Sequence, residues 1–399
     1  MTEEKKKRVC AIHHTGEMGG GSRSFIDILQ MLNDAYDVIA CIPKGSDQLK
    51  KMISDCGIEV HEIVSTIPKL RRYSGATSVL SGGFLKDLIS LRYKKQFAQE
   101  IMCLKPDVVI YNAIVTCLSA PFFPKTVQQI CFVRETIVNR ISGKMFSSCL
   151  EEHVDAVCFL AECERTKMGL TKPRTIVIPD SFPTDKVKII TKGEARKTLE
   201  LSENDYVMLF MGGFSRIKGI INLFKALNEL PEQTKLLVAG DFRMEYISLK
   251  NIIKHITSIN YSLYALRVRN AYNRIKNRDR VKFLGFVDNI STIFSASDVI
   301  VFPSAQVHQP RPCIEAGFYR KPVIISDFNE TREYFEDGIN AVCFKPNDYR
   351  DLARKILSLM DDPQRAQQLG ETNYMMSVER HSYEVTKNNL QQFLLDVIG

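Results

Sequence analysis

Two glycine-rich turns and one polar loop hold the residues best suited to chemistry. The first turn, Gly16-Glu17-Met18-Gly19-Gly20-Gly21-Ser22, sits between an apolar run and a helical stretch, where glycines let a ligand approach the backbone closely. The second, Met211-Gly212-Gly213-Phe214-Ser215-Arg216-Ile217-Lys218-Gly219, puts the cations Arg216 and Lys218 at the mouth of another helix. A helix N-terminus offers free N–H groups and the positive end of a dipole, so this is chemistry for a phosphate or diphosphate. The polar loop lies within Phe302 to Gly317. Pro312 suits the first turn of a helix, which predicts that the amides near Cys313 and Ile314 face the loop. Glu315 is expected in that first turn, as a carboxylate able to accept two hydroxyls, while His308, Gln309 and Arg311 crowd the loop itself. His13 and His14 close the first apolar run, and Arg134 and Glu135 close a later one. Each has a plain alternative: a tight turn for the glycines, a first-turn carboxylate for Glu315, a solvated pair for Arg216 and Lys218, hydrogen-bonded structural rings for the histidines.

The elements that must hold these residues alternate. Val9–His14, Val38–Ile42, Val108–Tyr111, Gln129–Val133, Ala156–Leu160 and Thr175–Ile178 read as short buried strands, with helical stretches between them such as Ser24–Leu32. The pattern restarts with strands at Tyr206–Met211, Leu236–Ala239, Val281–Leu284, Val299–Phe302 and Val323–Ile325. Helices are predicted at Ile220–Leu230, Cys313–Phe318, Glu330–Phe335 and Asp351–Met360. The join falls near Pro179–Lys192, a polar stretch that includes Pro183. Alternation of this kind predicts an α/β protein of two doubly wound parallel-sheet domains, with a ligand site in the cleft between them at the carboxyl ends of both sheets. The first glycine-rich turn alone also fits dinucleotide binding. That chemistry wants an acid at the end of the second strand, and this strand ends Cys41-Ile42-Pro43-Lys44.

Taken in order and spacing, Met211–Gly219, Val281-Lys282-Phe283-Leu284-Gly285-Phe286 and Phe302–Gly317 resemble the donor-binding domain of glycosyltransferase family 4, which has the GT-B fold of two Rossmann-like domains. The resemblance is strongest over Met211–Asp362. It implies a retaining, metal-independent transfer of a sugar from a UDP- or GDP-linked donor to a carbohydrate or lipid-linked acceptor, in bacterial surface polysaccharide or glycan synthesis, with no cofactor. Residues 1–185 would be the acceptor-side domain, 186–380 the donor domain, and 381–399 a helix packing back toward the first. By the same resemblance Lys218 and Arg216 would bind the diphosphate together with Gly19, Gly20, Gly21, Cys313 and Ile314. Glu315 would hold the ribose, His308, Gln309 and Arg311 would meet the donor sugar, and His13, His14, Arg134 and Glu135 would lie on the acceptor side. Two positions depart from the family pattern: Val307 stands where a Glu is usual near the donor sugar, and Gly213 where an Arg is usual in the turn. A catalytically silent relative that binds a partner and an epimerase on the same fold are the alternatives.

Composition narrows the setting. With 45% hydrophobic and 25% charged residues among 399, the chain reads as globular and long enough for two or three cores. No run approaches about 18 apolar residues, and Met1–Arg8 leads into a strand with no secretory leader pattern. Eleven Cys without metal-site spacing fit reduced thiols in a cytoplasm. The net charge of +8 is local: residues 243–282 carry ten basic and two acidic groups, whereas 283–399 carry eleven and sixteen. Without a nucleic-acid module, this basic segment and the amphipathic stretch 84–95 are expected to meet an anionic membrane surface from the cytoplasmic side. Solvated or self-packed helix faces are the alternative.

Overall fold

The computed structural model describes residues 6–71, 82–137, 140–182, 187–188, 190–242, 244–254, 259–287 and 289–398. Pro183 of the expected join and Ile256 of the basic segment lie outside them. The chain divides into two compact units, Met1–Ser181 with Tyr383–Gly399, and Phe182–Ser382.

The first unit is built on a seven-stranded parallel sheet: β1 (Arg8–Ile12), β2 (Asp37–Pro43), β3 (Glu59–Ile63), β4 (Val108–Tyr111), β5 (Gln128–Val133), β6 (Ala156–Phe159) and β7 (Arg174–Val177), in the order β3-β2-β1-β4-β5-β6-β7. Successive side chains go to opposite faces. Cys10 and Ile12 join one apolar cluster with Val109, Tyr111 and Cys131, while Val9 and Ala11 join another with Val38, Ala40 and Ile110. Burial on both faces is why these strands read as continuous apolar runs. The helix Gly20–Asn33 covers the second face with Phe25, Leu29 and Leu32, and the helix Tyr383–Ile398 adds Leu390 and Leu394, both fully buried. Truncating such a leucine to alanine costs about 2–5 kcal/mol.

The second unit carries a six-stranded parallel sheet: β8 (Tyr206–Met211), β9 (Thr234–Ala239), β10 (Val281–Gly285), β11 (Val299–Phe302), β12 (Val323–Ser326) and β13 (Val342–Phe344), ordered β10-β9-β8-β11-β12-β13. The strand order reverses between β8 and β11, which makes the gap beyond their carboxyl ends the natural ligand position of such a sheet. The helix expected over Glu330–Phe335 is a series of turns instead. The Thr331 hydroxyl donates to the carbonyls of Phe328 and Ser326, and this local bonding competes with helix formation.

The basic segment is less of a free surface than its charge suggests. In the helix Ile259–Asn273, Ala265, Val268 and Ala271 are buried, and Tyr261 and Tyr264 pack around Phe214 with ring centroids 5.5 and 5.0 Å away. Arg280 is buried, donating to the carbonyls of Thr234, Leu230 and Pro231. Leu249, Leu263 and Leu266 remain exposed beside Lys250, Arg267 and Arg274. In the first unit the helix Gly82–Ser90 likewise exposes Leu85, Leu88 and Ile89 around Lys86.

Candidate functional site

In the second unit the two loops flanking the switch point are fastened together. After β8, the Phe214 amide donates to the Asp241 carbonyl at 2.8 Å, and Arg216–Lys218 form a single 3-10 turn. After β11, the Ala305 amide donates to the Ile217 carbonyl at 2.8 Å. Gly219 closes the turn at φ 74°, and a Cβ there would lie 1.7 Å from the Pro303 carbonyl oxygen. Only glycine satisfies both the left-handed backbone and the contact. Tyr264 reinforces the turn by donating its hydroxyl to the Ser215 carbonyl at 3.0 Å.

This arrangement brings Lys218, Phe302, His308 and Cys313 together. The Lys218 ammonium lies 5.8 Å from the Phe302 ring centroid, and the His308 ring is 4.7 Å from the same ring. Burial holds Lys218 down to about 8, and no hydrogen bond or carboxylate partner meets its ammonium among the described residues. His308 is held down to about 3 by burial and by Lys218, so its ring is neutral. The Cys313 thiol is fully buried and pushed far up, which keeps it protonated. A desolvated cation with no counter-charge, among neutral groups, is a ready site for an anion. Arg216, in the same turn, is exposed, and Gln309 is half-buried with no hydrogen bond among the described residues.

Two expectations for this loop change. The helix runs Arg311–Phe318 behind Pro310, and the Pro310 carbonyl accepts from both the Cys313 amide at 2.8 Å and the Ile314 amide at 3.3 Å. Neither amide is therefore free for a diphosphate, and Pro312 has no N–H to offer. Glu315 is the fifth helical residue, not a first-turn one. It is 5% exposed, and its Oε1 accepts from the Arg311 Nε at 2.9 Å, four residues earlier. The pair orients the carboxylate inside the unit.

In the first unit the predicted residues join one buried network at the carboxyl ends of β1, β4 and β5. His13 is stacked on Phe25, with centroids 4.8 Å apart, and burial holds it down to about 3. Asn112 Nδ2 donates to His13 Nδ1 at 2.9 Å, so the ring proton is on Nε2, 3.1 Å from Ser22 Oγ. Ser22 in turn donates to the Glu17 carbonyl at 2.6 Å. His13 thus has both nitrogens occupied and fixes the glycine-rich turn to the sheet. Its neighbour His14 is held down to about 4 by burial and the cations Lys69 and Arg71, and its Nδ1 has no partner among the described residues. Arg134 donates to Asn112 Oδ1 at 2.9 Å and pairs with Asp180. Glu135 Oε2 accepts from the amides of Ile114 and Arg134, both at 3.1 Å, and burial pushes this carboxyl up to about 7. A group half-protonated near neutrality can take or give a proton.

The glycine-rich turn opens the helix Gly20–Asn33 without a capping side chain. A Cβ on Gly16 would meet Ser46 Oγ at 2.2 Å, whereas one on Gly19 or Gly21 would meet nothing. Packing explains Gly16 and leaves the exposed Gly19–Gly21 stretch open to a ligand. Sequence reasoning missed Asn112, Asp180, Phe302 and Ser304. Asn112 directly follows its strand and Ser304, like Glu135, stands two residues past one, and that position was the available signal. Among the described residues no cluster of three or more metal-ligating side chains occurs, and no helix is long and apolar enough to cross a membrane.

Comparison with known proteins agrees with this architecture. Residues 191–376, which lie within the second unit, match the family described as glycosyl transferases group 1. The chain is 24% identical over 200 residues to the uncharacterized glycosyltransferase MJ1607 of Methanocaldococcus jannaschii, covering 45% of this chain and 46% of that protein. It is 24% identical over 115 residues to the alpha-D-kanosaminyltransferase of Streptomyces kanamyceticus, covering 28% and 30%. The match thus spans about half or less of these relatives' length. The structure of Anabaena Alr3699/HepE in complex with UDP and glucose superposes with a TM-score of 0.79 at 17% identity, covering 98% of this chain and 100% of that one. WaaG, a glycosyltransferase involved in lipopolysaccharide biosynthesis, superposes at 0.64 with 14% identity, covering 96% and 99%. These likenesses show the GT-B fold.

Proposed function

We propose that this chain, whose residues 191–376 match the glycosyl transferases group 1 family, transfers a glycosyl group from a nucleoside diphosphate sugar to a hydroxyl of a glycan or lipid-linked acceptor. The observation that carries the reading is Lys218, a half-buried lysine at the switch point of the second sheet whose ammonium meets no counter-charge among the described residues. The diphosphate of the donor supplies the missing anion. In transfer, the bond between the anomeric carbon and the phosphate oxygen breaks while the acceptor oxygen bonds that carbon. The acceptor proton goes to the leaving diphosphate, and Lys218 stabilises the charge that builds there. Configuration is retained in this reading, and Glu315, oriented by Arg311, receives the ribose hydroxyls. Structures of HepE in complex with UDP and with UDP-glucose support a UDP-linked donor.

The acceptor side is assigned to the first unit, where Glu135 and the exposed Gly19–Gly21 turn lie. Surface helices with leucines among cations favour a lipid-linked acceptor reached at an anionic membrane surface. A thermal-shift screen against UDP, GDP, ADP and their hexose derivatives tests the donor, since a ligand of the folded state raises Tm. Incubation of the stabilising nucleotide sugar with glycan and lipid-linked acceptors then tests transfer. Stabilisation by a nucleotide without turnover of any nucleotide sugar would leave a binding protein on the same fold.

A further inference from the structure

The loop after β11 contains two buried polar atoms without partners. His308 Nδ1 lies 3.1 Å from the Gln306 carbonyl oxygen. A carbonyl only accepts, so the ring proton sits on Nδ1, and Nε2 is left as a lone pair. That Nε2 is buried and has no hydrogen-bond partner among the described residues. In the same loop the Ser304 hydroxyl, in a residue 2% exposed, also has none. An orphaned buried acceptor costs about 1–3 kcal/mol, so a loop that retains one beside another is built for something that arrives. Residues 303–310 contain no acid at all. The acceptor offered next to the Lys218 ammonium is therefore neutral, and it is an imidazole.

We infer that His308 Nε2 accepts a hydrogen bond from a hydroxyl of the donor's glycosyl group, which makes His308 a specificity-determining residue. The inference rests on the donor reading above and adds the atom, its tautomer and the chemical group it selects. The direction is fixed by the tautomer: a hydroxyl pairs with Nε2, whereas a sugar lacking that hydroxyl leaves the lone pair buried and unmet. Sites that hydrogen-bond a substrate hydroxyl reject the analogue without it for this reason.

The test compares a nucleotide with its sugar derivative, so that loss of the sugar contact separates from loss of the whole site. Calorimetric Kd values are measured for UDP, UDP-glucose and the 2-, 3-, 4- and 6-deoxy forms of UDP-glucose, with GDP and GDP-mannose and its deoxy forms in parallel. Proteins are the wild type, His308→Phe and His308→Gln, each checked by Tm. His308→Phe is expected to hold the free nucleotide within about twofold and to weaken the nucleotide sugar about tenfold, the size of one buried neutral hydrogen bond. One deoxy donor should show the same loss in the wild type and none further in His308→Phe. His308→Gln, which supplies an amide oxygen, should recover part of the affinity. Equal weakening of nucleotide and nucleotide sugar, or no change in either, would overturn the inference while leaving the donor reading intact. Failure of the wild type to bind any of the nucleotides would overturn both.

Discussion

Replacing Lys218 with methionine isolates the charge at the switch point while keeping a stem of similar length. In the free protein this ammonium is held down to about 8, with burial as the cause and the buried Cys313 thiol acting weakly the other way. A bound diphosphate favours the protonated form and returns the pKa upward, so nucleotide binding takes up a proton wherever the free lysine is neutral. With a free pKa near 8, the apparent Kd rises about tenfold between pH 7 and pH 9, while the ligand's own phosphate, with a second pKa near 6, keeps its charge. Calorimetry of UDP binding across that range, in buffers of different ionisation enthalpy, reads both the affinity and the proton uptake. Lys218→Met should bind far more weakly and show no slope. The same lysine costs stability when no ligand is present. The unfolded chain holds its proton up to pH 10.5 and the folded one only to about 8, so the penalty is full below pH 8 and gone above pH 10.5. Partial exposure of the side chain brings that penalty to about 2 kcal/mol. Lys218→Met should therefore be the more stable protein in urea at pH 7 and lose that advantage as pH rises. A flat wild-type Kd between pH 7 and 9, or an equal slope in the variant, would refute the assignment of the anion to Lys218.

Other expectations follow from the geometry of single groups. Glu135 is raised from 4.5 to about 7 in the folded state, so its contribution to stability is full below pH 4.5 and lost as pH rises through 7. Glu135→Gln, which mimics the protonated form, should flatten that decline in urea denaturation between pH 5 and 8; an unchanged slope assigns it elsewhere. Gly219→Ala would push a methyl into the Pro303 carbonyl at a left-handed backbone position, and a loss of at least about 2 kcal/mol is expected, with nucleotide binding lost before global unfolding. Wild-type affinity in that variant would show the two loops to be less tightly fastened than described. Glu315→Gln should weaken ribonucleotides about tenfold and 2′-deoxyribonucleotides little, and equal losses would remove its ribose role. Exchanging Leu263 and Leu266 for serine should lower co-sedimentation with phosphatidylglycerol vesicles without changing nucleotide affinity, and unchanged sedimentation would return that face to solvent.

Much of this was legible because burial writes itself into residue type. Strands covered on both faces, such as Val108–Tyr111 and Val299–Phe302, appear as unbroken apolar runs. The edge strand Glu59–Ile63 has a polar sequence, and its pairing with β2 is long-range information that no local pattern carries. Lys218 and His308 were identifiable by position, yet their meaning came from what surrounds them: the ring of Phe302, and the lack of a carboxylate partner among the described residues. The amides of Cys313 and Ile314 were misjudged because one carbonyl, that of Pro310, satisfies both. The Arg311–Glu315 pair follows from i,i+4 spacing only once the helix is known to begin at Arg311. Asn112 and Asp180 entered the network around Arg134 through side-chain reach across strands, which the order of residues does not reveal.

The return of Tyr383–Ile398 to the first unit has a consequence for how the protein is made. A nascent chain completes all seven strands of that sheet by Val177, but one face still lacks Leu390, Phe393, Leu394 and Ile398. The whole of the second unit, Phe182–Ser382, must be synthesised before those side chains arrive. The first unit is thus begun before the second and sealed after it. Until then it presents an open apolar face, so a ribosome stalled within the second unit holds a chain that a chaperone can recognise and a protease can enter. Lys387 pairing with Asp34 at 2.6 Å, and Gln391 donating to the Met31 carbonyl at 2.8 Å, are the clasps that close it. Completion of the first core therefore waits for the second unit to be made.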